Sequence, residues 1–416
     1  MKKVIITFLF FLSIFSFTVC SSNSNPNGHN PPSDNPTISF AQSSQTLGDT
    51  RSFGLAVADV DLDGDNDIFL ANYIGPSKLW LNDGNGQFSQ VNQNFGSAVT
   101  STHDADIGDL NGDSYPDIFV ANHDEPSKIY FNNGNGSYSD SGQNIGEVGE
   151  YPQTVQLLDI DGDGDLDAYL YNIDTPNRIW LNDGSGTFTM RDIDYGGSDS
   201  NRQVLADLNG DSSPDLYMSF RNQAGQIWMN DGAGNFSNSG QALGNDNDKI
   251  DFADLDGDGD IDILEASSAA MNIWLNNNNT GSFTAGFSFT EGALKCKLFD
   301  ADLDGDQDLV TAHVDNGNKL WLNDGTGSFT LHGTTFGTSR VFSIECAKLD
   351  ADDDYDVVLG RMEGKGGNLI FFNETTPQIT TKLRTVIASR PALWNDVAIS
   401  LLPLRPLRII LCDLCG

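Results

Sequence analysis

The chain has 416 residues, 59 of them Asp or Glu against 22 Lys or Arg, for a formal net charge of −37. A balance this acidic argues against nucleic acid and anionic membranes as partners, since both repel it. With 38% hydrophobic residues the chain can still bury an ample core.

Residues 1–20 hold two lysines and then an apolar run, MKKVIITFLFFLSIFSFTVC, which reads as a secretory signal and is too short and wrongly flanked for a convincing span. Cys20, followed by Ser21 and Ser22, is a candidate lipid-anchor cysteine, although Val19 and Phe17 match the usual small and leucine positions poorly. The expected location is secreted, or anchored at the cell surface or outer membrane. Residues 21–36, SSNSNPNGHNPPSDNP, read as a flexible polar linker. Residues 37–48, TISFAQSSQTLG, look like a single strand separated from its partners.

From Asp59 an aspartate-rich nonapeptide returns seven times at a spacing of 46 to 50 residues: DVDLDGDND, DLNGDSYPD, DIDGDGDLD, DLNGDSSPD, DLDGDGDID, DADLDGDQD and KLDADDDYD. A fixed period of this size means one supersecondary unit stacked on itself. Side chains at loop positions 1, 3 and 5 can converge on one point if a tight turn follows, with the carbonyl of position 7 and a carboxylate at position 9 completing an oxygen cage. The predicted ligands at position 1 are Asp59, Asp109, Asp159, Asp207, Asp254 and Asp300, and at position 3 Asp61, Asn111, Asp161, Asn209, Asp256 and Asp302. Position 5 supplies Asp63, Asp113, Asp163, Asp211, Asp258 and Asp304; position 7 supplies the carbonyls of Asp65, Tyr115, Asp165, Ser213, Asp260 and Asp306. Position 9 supplies Asp67, Asp117, Asp167, Asp215, Asp262 and Asp308. Oxygen-only ligation favours Ca²⁺ over zinc or copper, and about six ions are expected. Six divalent ions would cancel twelve charges and leave about −25, so folding and calcium should be coupled.

The loop opens like an EF-hand, but position 12, where that motif needs a bidentate Glu, holds Leu70, Val120, Leu170 and Met218. The runs that follow, IFLAN, IFVAN, AYLYN and LYMSF, are strand-like, and an EF-hand is excluded. In the seventh copy Lys348 replaces the first aspartate, so that loop is expected to hold no calcium and to set an ammonium among Asp350, Asp352 and Asp356.

About twenty residues after each loop comes a second motif, LWLNDGNGQF in the first unit and IWLNDGSGTF in the third. Asn-Asp-Gly between two strand-like runs is a hairpin signal. Each unit therefore reads as four strands, and seven such units predict an all-β, seven-bladed β-propeller over residues 37–376. The last unit breaks off at NLIFFNETT without its fourth strand, and residues 37–48 resemble the missing piece, so an N-terminal strand should close the ring. A monomer is expected.

These repeats resemble the FG-GAP or VCBS type, similar to the calcium-loop blades of integrin alpha-subunit propellers and of many bacterial surface proteins. The resemblance implies seven blades, calcium loops on one face and ligand binding most often on the other. It implies no particular ligand, and its metal positions fail at Lys348.

Loops that emerge away from the acidic loops differ most between units, and variable loops on a rigid scaffold are where function usually sits. Tyr73, His103, His123, Glu125, Asp174, Arg221, His313 and Arg361 are candidates for a ligand face. His103, Asp104, His123, Asp124 and Glu125 could together form a second metal or acid–base site, against a reading as unrelated surface groups. Trp80, Trp180, Trp228, Trp274 and Trp321 recur at one strand position, as residues that pack between blades do; sugar binding is the other reading. Inner-strand charges such as Asp104, Arg202, Lys249, Lys295 and Glu345 should line a central channel and form ion pairs around water, with a ligand in the channel as the alternative. Cys296 and Cys346 read as buried thiols, with a blade-to-blade bridge as the alternative; residues 377–416, with Cys412 and Cys415, belong to no repeat. The function expected is a calcium-binding, non-catalytic module for extracellular protein or glycan, with a polysaccharide lyase-like enzyme as the alternative.

Overall fold

The computed structural model describes residues 38–48, 51–191, 200–220, 223–244, 249–313, 317–337, 340–362 and 367–375. The signal, linker and tail segments, Cys20 and Arg221 lie outside the described residues. Among these residues 28 strands form seven four-stranded antiparallel sheets and no helix occurs.

Blade one shows the pattern. Its inner strand Ser52–Ala58 runs into the first acidic loop, Asp67–Asn72 leaves it, Lys78–Asn82 carries Trp80, and Phe88–Gln90 is outermost. Each strand pairs with its neighbour in sequence, with Ile68 opposite Trp80. Every residue of Asp67–Asn72 is buried, as is every residue of Asp167–Asn172 and Asp215–Phe220. A second strand lies between two neighbouring blades, which explains why these runs are continuously apolar rather than alternating.

The core is accordingly a ring of seven interfaces rather than one centre. Tyr130 of blade two packs with Phe69 and Phe95 of blade one, and Trp180 of blade three joins Phe119 and Ile129 of blade two. The recurrent aromatic thus packs against the blade before its own. The circle is completed where Leu55, Ile68 and Leu70 of blade one meet Leu349, Val358 and Ile370 of blade seven.

Blade seven contains Val341–Ala347, Asp356–Arg361 and Leu369–Asn373, and its outermost strand is Phe40–Gln42. Phe40 lies opposite Asn373, and Leu47 exchanges backbone hydrogen bonds with Asn368. The Phe40 ring meets Phe336 of blade six edge-on at 4.8 Å. The Gln45 amide donates to the Phe88 carbonyl at 2.6 Å and accepts the Phe88 N–H at 2.9 Å, which ties the same segment to blade one. Gln93 and Gln241 grip the outer strands of blades two and five in the same way, and Gln143 accepts the Phe188 N–H of blade three while donating to the Gly186 carbonyl. Cys296 and Cys346 are free thiols, and burial raises the pKa of both.

Candidate functional site

Six of the acidic loops share one backbone. Positions 4 and 6 are both left-handed in each, and glycine fills most of these positions. Where it does not, Leu62, Ser114, Ser212 and Leu303 adopt φ between 61° and 72°, a conformation that costs a side chain energy and needs compensation. Part of it comes from position 1, whose carboxylate accepts the N–H groups of the turn. Asp59 accepts from Asp63 at 3.1 Å and Gly64 at 2.9 Å, and Asp159 from Gly162 at 2.7 Å and Gly164 at 3.0 Å. Asp109, Asp207, Asp254 and Asp300 do the same in their loops.

This folding brings carboxylates together. In four loops three carboxylate oxygens lie within 4.8 Å of one another: Asp59, Asp61 and Asp67; Asp159, Asp161 and Asp167; Asp254, Asp256 and Asp262; Asp300, Asp302 and Asp304. The loops at Asp109 and Asp207 carry Asn111 and Asn209 at position 3, so they offer an amide oxygen where the others offer a carboxylate. Burial first and the neighbouring Asp63 second raise the pKa of Asp61, and the same causes act on Asp161 and Asp256 through Asp163 and Asp258. Asp161 Oδ1 and Asp302 Oδ1 are buried without a hydrogen-bond donor among the described residues. An unsatisfied carboxylate oxygen amid like charges is what a hard cation would relieve, and the all-oxygen donor set fits Ca²⁺.

Position 9 has a second duty. In blade one, Asp67 Oδ2 accepts the Val60 N–H at 2.9 Å and Oδ1 accepts the Asn82 N–H at 2.8 Å, and the pattern holds in all seven blades as far as Asp356. These aspartates are fully buried. Burial outweighs the two N–H donors and raises Asp67 to about 7, Asp167 to about 6 and Asp308 to about 8. Position 7 is engaged elsewhere through its side chain. A Cβ on Gly84 would come within 2.3 Å of an Asp65 carboxylate oxygen, and Gly184 and Gly325 stand in the same relation to Asp165 and Asp306. The hairpin glycine is therefore there for the acidic loop beside it as well as for its own φ of 70°.

The seventh loop is built differently. Ala351 and Asp353, at positions 4 and 6, are not left-handed, and no convergent group forms there among the described residues. Lys348 faces away from the expected carboxylates, at 3.9 Å from the exposed Asp353 and over the Tyr355 ring at 5.6 Å. Burial and the adjoining Asp352 raise the pKa of Asp354.

A feature that sequence reasoning assigned to the hairpin turn belongs to the blade junctions. The Asn that ends each third strand donates its amide to the position-2 carbonyl of the preceding blade: Asn132 to Val60 at 2.8 Å, Asn182 to Leu110, Asn230 to Ile160, Asn276 to Leu208 and Asn323 to Leu255, each at 2.9 Å, and Asn373 to Ala301 at 3.0 Å. Asn82 reaches Leu349 at 2.9 Å and closes the circle. The signal was an Asn repeated in every unit, including the last, which has no hairpin glycine after it.

On the opposite face, Tyr73, His103 and His123 come together at the channel mouth. Phe53 stacks on Tyr73 at 4.3 Å and touches Phe342 at 3.7 Å; His103 stacks on His123 at 4.5 Å, and His123 meets Tyr151 at 4.6 Å. The two histidines lie face to face, belong to no convergent metal-ligating group among the described residues, and His123 pairs with Asp124 at 3.1 Å. Asp104 faces the channel instead. Burial, then His123, lowers His103 to about 4, so it is a neutral imidazole. Glu125 and Asp174 are exposed. His313 is buried against the Thr311 hydroxyl at 2.9 Å, and Arg361 reaches the Gly367 carbonyl at 3.4 Å; both serve their own loops.

The fold is shared by solved propellers. BBS1N in complex with ARL6DN matches with a TM-score of 0.56 and 10% identity over 82% of this chain and 97% of that one. Sqt1 of Saccharomyces cerevisiae matches at 0.50 and 10% over 79% and 97%. An Agrocybe aegerita lectin that recognises non-reducing terminal N-acetylglucosamine matches at 0.48 and 21% over 71% and 79%. No curated protein matches the sequence significantly. The FG-GAP-like repeat profile matches residues 59–120, 109–170, 159–218, 207–265 and 300–359, more than half of the chain, and each match begins at position 1 of an acidic loop. The protein therefore belongs to the FG-GAP-like repeat family.

Proposed function

We propose that the protein is a secreted or surface-tethered binding module whose propeller is rigidified by calcium in the acidic loops and which engages an extracellular protein or glycan through the opposite face. The observation that carries this reading is the set of four convergent carboxylate groups, two of them with a buried oxygen that nothing among the described residues satisfies. Position-1, -3 and -9 oxygens would hold the ion in the loops at Asp59, Asp159 and Asp254, and Asp300, Asp302 and Asp304 would hold it in the sixth. Bound calcium would supply charge compensation and nothing chemical. The FG-GAP-like repeats and the fold shared with BBS1N, which was solved in complex with ARL6DN, support a binding role.

Metal analysis of the dialysed full chain should find about six tightly held ions, and EDTA should lower the melting temperature steeply. A count below about three, or a melting temperature indifferent to chelator, would end the reading. Binding on protein and glycan arrays should depend on calcium through the scaffold, with no product released from any hit.

A further inference from the structure

The position-9 carboxylates and the Asn clasps are parts of one circuit. Asp167, at the end of the third acidic loop, accepts the Asn182 N–H at 2.8 Å. The Asn182 side chain crosses to blade two and donates to the Leu110 carbonyl at 2.9 Å, and the Leu110 N–H donates to Asp117 Oδ2 at 3.0 Å. In the other direction Asp167 Oδ2 accepts the Ile160 N–H at 3.0 Å, the Ile160 carbonyl accepts Asn230 at 2.9 Å, and the Asn230 N–H donates to Asp215 at 2.8 Å. Three hydrogen bonds therefore separate each position-9 carboxylate from the next, and the same links recur in every blade. The circuit closes where Asn82, bonded to Asp67, reaches Leu349, bonded to Asp356.

Its members are buried, so the bonds are shielded from water, and hydrogen bonds in series polarise and fix one another. The circuit also runs through the candidate cation sites. Asp67, Asp167 and Asp262 belong to the convergent carboxylate groups of loops one, three and five. Asn182 donates as well to the Leu166 carbonyl at 3.1 Å, so one side chain of blade three holds backbone of loop two and of loop three. Blade seven has lost position 1 and forms no convergent group among the described residues, yet Leu349, Asp356 and Asn373 keep their places in the circuit.

We propose that the Asn clasps are positioning residues for the cation sites on either side of each blade junction, so that the acidic loops fill cooperatively around the ring. An ion in loop three fixes Asp167 as an ionised acceptor; Asn182 then holds the Leu110 peptide against Asp117, and Asn230 is held for Asp215. The proposal deepens the calcium reading and rests on it. Electrostatics alone gives the opposite sign, because in a chain of net charge −37 each bound divalent ion lessens the attraction for the next.

Calcium is titrated into the full chain, and the filling of each loop is followed by hydrogen exchange of the peptides that contain it. Asp161→Ala, which removes a position-3 ligand, should empty loop three and raise by about threefold or more the calcium concentration at which loops two and four gain protection. In the Asn182→Ala background, Asp161→Ala should no longer shift loop two but should still shift loop four. In the Gln143→Ala background both shifts should persist, since Gln143 joins blades two and three outside the circuit. Loops two and four that fill at the same or lower calcium in Asp161→Ala would overturn the coupling and leave the calcium module standing. A shift of loop two that survives Asn182→Ala, or that Gln143→Ala removes equally, would overturn the role of the clasp. The Asp161→Ala comparison decides the sign by itself should a clasp variant fail to fold. Loops that never respond to calcium would overturn both the coupling and the calcium reading.

Discussion

Asn182 shows how much one side chain can do in a repeating fold. Its amide donates to Leu110 O at 2.9 Å in the preceding blade and to Leu166 O at 3.1 Å in its own, while its backbone N–H satisfies Asp167. Alanine would leave two buried carbonyls without a donor, and aspartate would add a charge that cannot donate. Asn182→Ala should therefore cost about 1–3 kcal/mol, seen as a lower urea midpoint at unchanged slope. A midpoint equal to that of the parent would mean the clasp carries no stability. The residue itself was visible from the sequence, repeated in every unit; its partner, some seventy residues back in the chain, was not.

At the level of the strand, Phe40–Gln42 is three residues long and holds little by itself. Its weight comes from what it joins. It pairs with Leu369–Asn373, buries Phe40 against Phe299 and Phe336 of blade six, and leads to Leu47, which is fully buried in the cluster shared by blades seven and one. Deleting residues 37–48 should lower the melting temperature sharply and favour self-association through the bared edge of blade seven. A truncated chain that melts like the full one and stays monomeric would show that the ring does not need this segment. The place of this strand was readable because TISFAQ resembles a missing outer strand, whereas its register and the reach of Gln45 to Phe88 depend on where the blades sit.

For the whole molecule, the buried position-9 carboxylates give stability a sign against pH. Their folded-state pKa values, from about 6 for Asp117, Asp167, Asp215 and Asp262 to about 7 for Asp67 and Asp356 and about 8 for Asp308, stand above that of an unfolded aspartate. The metal-free native state therefore holds more protons than the unfolded chain. This stabilisation is complete below about pH 4 and is lost as pH rises towards about 8. Calcium selects the ionised form, so the trend should reverse when it is present. Melting in EDTA should fall between pH 5 and pH 7.5, and the increment from added calcium should grow over the same interval. Melting in EDTA that rises with pH would mean that these aspartates ionise freely in the fold. Asp183, Asp231 and Asp324, held low by hydrogen bonds within their hairpins, push weakly the other way.

The sequence by itself determined the repeat, the number of blades, the four-strand unit and the face that carries the acidic loops, because each follows from local spacing: alternate acids that must share a turn, and a turn that must be followed by a strand. It also marked loop seven as different, since Lys348 cannot accept the N–H groups that Asp59 accepts. Only the tertiary structure decided which carboxylates meet, that position 9 braces its own blade, that Asn182 and its equivalents lock each blade to the one before, and that Lys295 and Arg202 share a channel cavity with Phe53 and His103. Those relations join residues from different blades, and no local pattern fixes a distance across a ring that closure alone creates.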